Sequence, residues 1–133
     1  MVNKGGKAKQ KRRVVKDKRR VQIALVHILA TFNNVIVTVS DTQGAVFIQR
    51  SAGARFSGSK KSTPHAAHVA AYEAASLAAS MGVKTVSVFI SGPGAGREAA
   101  LRAIHSAKLG IISLKDRTPI PHNGCRLRRK RRV

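Results

Sequence analysis

Gly92-Pro93-Gly94-Ala95-Gly96, with three alternate glycines followed by Arg97-Glu98, is the first stretch of this chain whose spacing suggests chemistry. A β-branched run precedes it and a helical pattern follows, so it reads as a strand–loop–helix unit. Free backbone N–H groups at the start of such a helix, with Arg97 beside them, suit an anion. A mononucleotide P-loop is excluded: that motif ends in Gly-Lys-Ser/Thr, with Lys on the terminal phosphates and the hydroxyl on magnesium. Arg97-Glu98 stands in that place. The glycine spacing also fails the dinucleotide fingerprint. Two readings remain, a nest for a phosphodiester and a tight turn that needs glycines for steric reasons alone.

Other reactive residue types form weaker groupings. His65 and His68 are three apart on a predicted helix, a spacing that suits a metal, but no nearby carboxylate or cysteine completes a tetrahedral site. Cys125 follows His122 by three residues, with no sign of the base and oxyanion pocket a nucleophile needs. The segment 21–125 holds four acids, Asp41, Glu73, Glu98 and Asp116. Metal-assisted phosphodiester cleavage needs several convergent carboxylates; Asp41 is taken by a turn and Glu98 suits a first helical turn. The residues therefore predict no catalytic centre, no metal and no cofactor.

Charge points to the partner. The 133 residues carry 26 Lys plus Arg against 5 Asp plus Glu, a formal charge of +21. Residues 1–20 hold ten cations and one acid, and residues 126–132 hold six cations and no acid. The organisation predicted is a basic N-terminal tail (1–20), one α/β domain (21–125) and a basic C-terminal tail (126–133). Such tails bury too little apolar area to order alone, and a polyanion neutralises them. Neither tail has an amphipathic apolar face or lipidation signal, so nucleic acid rather than a membrane is the expected partner. No signal peptide is visible, and a single cysteine fits a reducing compartment.

The elements that position these groups follow in order. Val21–Thr31 is apolar on both faces, as an interior strand would be, and Val35–Ser40 and Ala45–Ala52 follow as further strands. Asp41-Thr42-Gln43-Gly44 is a turn with Asp first and Gly last, so the three strands form an antiparallel meander. Gly53–Ser62 lacks periodicity and reads as a flexible basic loop; its Phe56 suits either a base or the core, with the core favoured. Thr63 caps and Pro64 opens an alanine-rich helix running to about Met81 and ending at Gly82. Val69, Leu77 and Met81 lie on one side of it. Val83–Ile90 is the fourth strand, and Glu98–Leu109 a second helix ended by Gly110, with Ala99, Ile104 and Ala103 or Ala107 turned to a sheet. Ile111–Leu114 is a short last strand, and Asp116–Cys125 is irregular. The order β-β-β-α-β-α-β predicts a mixed sheet with covering helices and parallel strands at the crossovers.

Thr118-Pro119-Ile120-Pro121-His122-Asn123-Gly124-Cys125-Arg126 carries a resemblance, together with His27-Ile28, Phe32-Asn33-Asn34, Lys61-Ser62-Thr63-Pro64-His65-Ala66-Ala67 and Gly92–Glu98. In matching order over residues 24–133, these segments resemble the universal small-subunit ribosomal protein eleven family, bacterial or organellar type. The resemblance implies an RNase-H-like α/β core without enzymatic activity, working in the ribosome of the cytoplasm or of an organelle. It implies binding of small-subunit ribosomal RNA in the platform, near the messenger RNA path and the cleft for the ribosome-binding helix. The implied partners are that RNA, small-subunit proteins seven, eighteen and twenty-one, and messenger RNA as a neighbour.

The implied contact residues are Asn33 and Asn34; Arg55, Ser57, Lys60, Lys61, Ser62 and Thr63; Gly92, Gly94, Gly96 and Arg97; and His122, Asn123, Arg126, Arg128, Arg129, Lys130, Arg131 and Arg132. The chain departs from the family pattern at Leu29, Val35 and His65, and at Leu127, where family tails carry prolines. From composition alone, a free-standing nucleic-acid-compacting protein is the alternative.

Overall fold

Local chemistry sets the ends of most elements in the computed structural model, which describes residues 21–133; the basic segment read at 1–20 lies outside the described residues. Strand β1 (Ile23–Ala30) turns into β2 (Val35–Ser40). At that turn Thr31 N–H donates to the Asn34 carbonyl at 2.9 Å, and Asn34 N–H donates to Thr31 Oγ1 at 3.0 Å. The next turn runs from Asp41 to Gly44 as its residue types predict. Asp41 Oδ1 accepts from Gln43 and Ala45 N–H at 2.9 Å each, and Gly44 sits at φ +91°, a region open to glycine. Strand β3 (Val46–Ser51) follows.

Helix α1 (Pro64–Ser80) begins as expected: Thr63 Oγ1 accepts from Ala66 N–H, and Pro64 takes the first helical position. It ends at Gly82 (φ +96°), where Gly82 N–H donates to Ala79 O and Val83 N–H to Ala78 O, at 3.1 Å each. That pair of bonds is a Schellman stop. Strand β4 (Thr85–Ser91), helix α2 (Arg97–Ser106) and strand β5 (Gly110–Asp116) complete the described elements. Helix α2 stops earlier than its composition suggests. Lys108, not Gly110, adopts the left-handed conformation, at φ 64°, while Gly110 opens β5.

The five strands form one mixed sheet of order β3-β2-β1-β4-β5, with the first three antiparallel and β1-β4-β5 parallel. The element order and mixed sheet match those expected from the sequence, and β1 is the middle strand. Both crossovers, β3-α1-β4 and β4-α2-β5, travel the same way across the sheet, so a common hand puts both helices on one face. Accordingly α1 packs on β2 and β3, α2 on β1, and the helices on each other. Ile48, Val39, Val26 and Val88 lie opposite one another across four strands, and all are buried. With Ile28, Val37, Val86 and Ile104 they form the core, each such side chain contributing roughly 2 kcal/mol.

Helix α1 turns its alanines inward, not its larger apolar side chains. Ala66, Ala67, Ala70, Ala71, Ala74, Ala75 and Ala78 are buried, whereas Leu77 is exposed and Val69 and Met81 are partly so. Methyl-only side chains let the helix backbone approach the sheet and α2 more closely than leucines would permit. On α2 the inward residues are Ala100, Ala103 and Ile104; Ala99 and Ala107 are half-buried. The Gly53–Ser62 segment, read as a loop, is partly taken up by two 3-10 turns, Ala52–Ala54 and Gly58–Ser62. Turns of three and five residues are too short to show a periodicity in sequence.

Candidate nucleic-acid interface

The glycine loop lies between the ends of β4 and α2, pressed against the end of β1. A Cβ on Gly92 would fall 2.2 Å from Ala30 O, and one on Gly94 2.4 Å from Thr31 O. A Cβ on Gly96 would fall 2.5 Å from Ala67 Cβ on α1 and 2.8 Å from Val35 Cγ2 on β2. All three are buried, and Gly94 N–H donates to Ala30 O at 2.8 Å. Steric demand within the fold therefore accounts for each glycine, and the loop turns Pro93 and Ala95 to solvent.

Arg97, half-buried, is committed to partners within the fold. Its guanidinium pairs with Asp116 at the end of β5, and Nη1 donates to Gly92 O at 3.3 Å. Asp116 also accepts from Thr118 Oγ1 at 2.6 Å and Thr118 N–H at 3.0 Å. Those Thr118 hydrogen bonds, and then Arg97, hold the Asp116 carboxyl well below the usual carboxylate range. The cluster fixes the point at which the last strand becomes the C-terminal segment.

Asn33 and Asn34 divide in the same manner. Asn34 Oδ1 accepts from Val35 N–H at 2.8 Å and Gly53 N–H at 3.1 Å, tying the first turn to the segment after β3. Asn33 is exposed. In the basic segment, Arg55 pairs with Glu73 of α1. Ser62 Oγ donates to Ser59 O at 2.9 Å and Thr63 Oγ1 to Lys60 O at 2.7 Å. Ser57 and Lys60 are exposed and Lys61 is half-buried. Phe56 packs partly buried against the core and meets His65 edge-on at 5.8 Å between centroids, so the core placement favoured from sequence is the one observed. His68 stacks on Tyr72 at 6.2 Å.

Residues 119–133 are exposed and lack regular structure. They carry His122, Asn123, Arg126, Arg128, Arg129, Lys130, Arg131 and Arg132 within reach of solvent. A cleft of about 640 Å³ lies beside β3, lined by Gln49, Arg50, Ser51, Ala54, Arg55 and Glu73. Five of its six lining residues are polar or charged, whereas pockets that take small ligands are lined mostly by apolar and aromatic side chains. Among the described residues no three His, Cys, Asp or Glu converge on a metal position.

Residues absent from the sequence reading are Arg50 in this cleft and Arg117, whose guanidinium lies 4.0 Å from the Phe89 ring centroid. The available signal was the alternation of Lys115 and Arg117, continued one residue beyond β5; the strand runs two residues past its apolar portion, into Lys115-Asp116.

A family model described as ribosomal protein S11 matches residues 24–132. The chain is 57% identical over 122 residues to the small ribosomal subunit protein uS11 of Anaplasma phagocytophilum, covering 90% of this chain and 98% of the relative. It is 52% identical over 128 residues to the protein of the same name from Nitratidesulfovibrio vulgaris, covering 95% and 99%. Identity to that of Acidiphilium cryptum is 50% over 119 residues, covering 89% and 92%. On a match spanning nearly the whole chain, this protein belongs to the ribosomal protein S11 family.

Proposed function

We propose that the protein is a structural constituent of the small ribosomal subunit, not an enzyme, and that it holds ribosomal RNA through its basic ends. The observation that carries this reading is the segment 119–133, extended from a root anchored by Asp116, Arg97 and Thr118 and bearing a run of uncompensated cations. A rigid α/β body presents the segment, and phosphate neutralisation supplies the affinity.

Among the candidate contacts, exposure favours Asn33, Ser57, Lys60, His122, Asn123, Arg126, Arg128, Arg129, Lys130, Arg131 and Arg132. Asn34, Ser62, Arg97 and the three glycines, and Arg55 and Thr63 although exposed, act first as supports that shape the surface, and they touch RNA through whatever atoms remain outward. Lys61, half-buried beside Gly53, belongs between the two groups. By the family resemblance, the protein sits in the platform near the messenger RNA path and the cleft for the ribosome-binding helix. The same resemblance supports small-subunit proteins seven, eighteen and twenty-one as neighbours.

Removal of residues 126–133 tests the electrostatic mechanism. Six cations are lost, so the salt slope of ribosomal RNA binding should fall by up to about 4, at roughly 0.7 per phosphate contact on single strands. An unchanged slope after removal of both 1–20 and 126–133 would sink the mechanism. Equal affinity for unrelated duplex DNA at matched salt would point instead to nucleic-acid compaction. Sedimentation of the native protein with small subunits checks the assembly itself.

A further inference from the structure

The second face of the sheet has no described helix over it. Directly opposed residues share a face, so the register gives four rows across it. These are Ser51-Ile36-Leu29-Ser91, Gln49-Thr38-His27-Phe89-Lys115, Val46-Ser40-Leu25-Ser87-Ser113 and Ile23-Thr85-Gly110. None of the rows contains a carboxylate. In the second row, the His27 and Phe89 rings stack at 5.2 Å and 17°. The Arg117 guanidinium lies over Phe89, 4.0 Å from its centroid, and Ser40 Oγ is 3.4 Å from His27 Nε2. Planar groups from β1, β4 and the end of β5 thus stand side by side, and the Arg117 side chain at the end of the series is exposed. Asp116, the nearest acid in sequence, is drawn away to Arg97.

We propose that this sheet face is a second RNA site, in which an unpaired nucleotide stacks its base against Arg117 and extends the His27-Phe89-Arg117 series. The inference rests on the ribosomal RNA-binding reading above and adds a location and a mode to it. Phosphates flanking the base reach Lys115, while apolar Leu29 and Ile36 and the small polar Thr38 and Ser91 supply the surrounding floor. Unpaired RNA is the occupant that fits both features. Arginine planes and aromatic rings take splayed bases, and a face bearing Lys115 and Arg117 without an acid favours a polyanion over an acid-poor protein surface. Burial and the adjacent Arg117 charge lower the His27 pKa, which keeps the imidazole neutral for stacking near pH 7.

The test uses the full chain bound to small-subunit ribosomal RNA transcribed with 4-thiouridine and irradiated, with cross-linked peptides mapped by mass spectrometry. Cross-links to Phe89 or to residues 115–117 are expected. Arg117→Lys keeps the charge but removes the flat face, so these cross-links should fall about fivefold or more while those to residues 126–132 persist. With an unstructured 12-nucleotide RNA, Arg117→Lys should weaken binding by about fivefold at unchanged salt slope. With an abasic strand of the same length, variant and wild type should bind alike. Cross-links confined to the tails would overturn the proposal and leave the RNA-binding reading standing; a protein neighbour or residues 1–20 would then be the cover. Absence of any cross-link would overturn both.

Discussion

Replacing Gly94 by alanine separates a loop built for packing from a loop built to cradle phosphate. Its backbone φ lies outside the left-handed range, so the cost is steric. The new methyl would meet Thr31 O at 2.4 Å and Ala30 C and O at 2.7 Å. Those are backbone atoms at the end of β1, where Ala30 pairs with Val35 and neighbouring Leu29 pairs with Ser91, so they cannot rotate aside. The loop must move outward, at an overpacking cost of roughly 1–3 kcal/mol. That movement also breaks the 2.8 Å bond from Gly94 N–H to Ala30 O, worth about 1 kcal/mol.

The sum is about 3 kcal/mol, or about 12 °C in Tm for a domain of this size. Two controls grade the effect in a thermal melt followed by circular dichroism. Gly124→Ala meets nothing within 4 Å and should shift stability by less than about 0.5 kcal/mol. Gly44→Ala also meets nothing but sits at φ +91°, and should cost about 1–2 kcal/mol. Salt slopes of RNA binding, measured well below each Tm, should be the same for all three variants. A Gly94→Ala protein that melts with the Gly124→Ala control yet loses salt slope would refute the packing account and restore the phosphate nest.

Three further outcomes follow from contacts already described. Asn34→Ala removes the acceptor of Val35 and Gly53 N–H and should lower stability by about 1–2 kcal/mol in urea melts. Lys108→Gly relieves a left-handed non-glycine residue after α2 and should raise stability by about 1 kcal/mol in the same assay. Asp116 has a depressed folded pKa, so its stabilisation is present above the unfolded value of 3.8 and is lost as pH falls through the folded one. Asp116→Asn should therefore melt lower than wild type at pH 7, and the gap should narrow in melts taken progressively below pH 3.8.

Local chemistry was legible in the sequence and long-range chemistry was not. Thr63-Pro64, Asp41–Gly44 and Gly82 act on neighbours within four residues, so residue type alone located those boundaries. Helical spacing places Val69, Leu77 and Met81 on one side of α1 but does not say which side faces inward. With α2 and the sheet both pressed against that helix, the positions that fit are the alanines, and Leu77 is left outside. Asn34 reaches Gly53 and Arg97 reaches Asp116, each 19 residues away, and no local pattern reports such a pairing. The same holds for the His27-Phe89-Arg117 series, which exists only because β1, β4 and β5 lie side by side.

The middle position of β1 also bears on the timing of synthesis. One edge of β1 finds β2 within a few residues, while the other waits for β4, whose Thr85 pairs with Ile23. At about 5–20 residues per second, that edge stands unpaired for roughly 3–12 s as the nascent chain lengthens. An unpaired strand edge of this apolar character is a template for mispairing. Helix α1 is made during the same interval, and its alanines favour helix formation, far faster than the next strand can be synthesised. Its early closure over β2 and β3 would leave a half-sheet with one live edge, awaiting the strand that completes it.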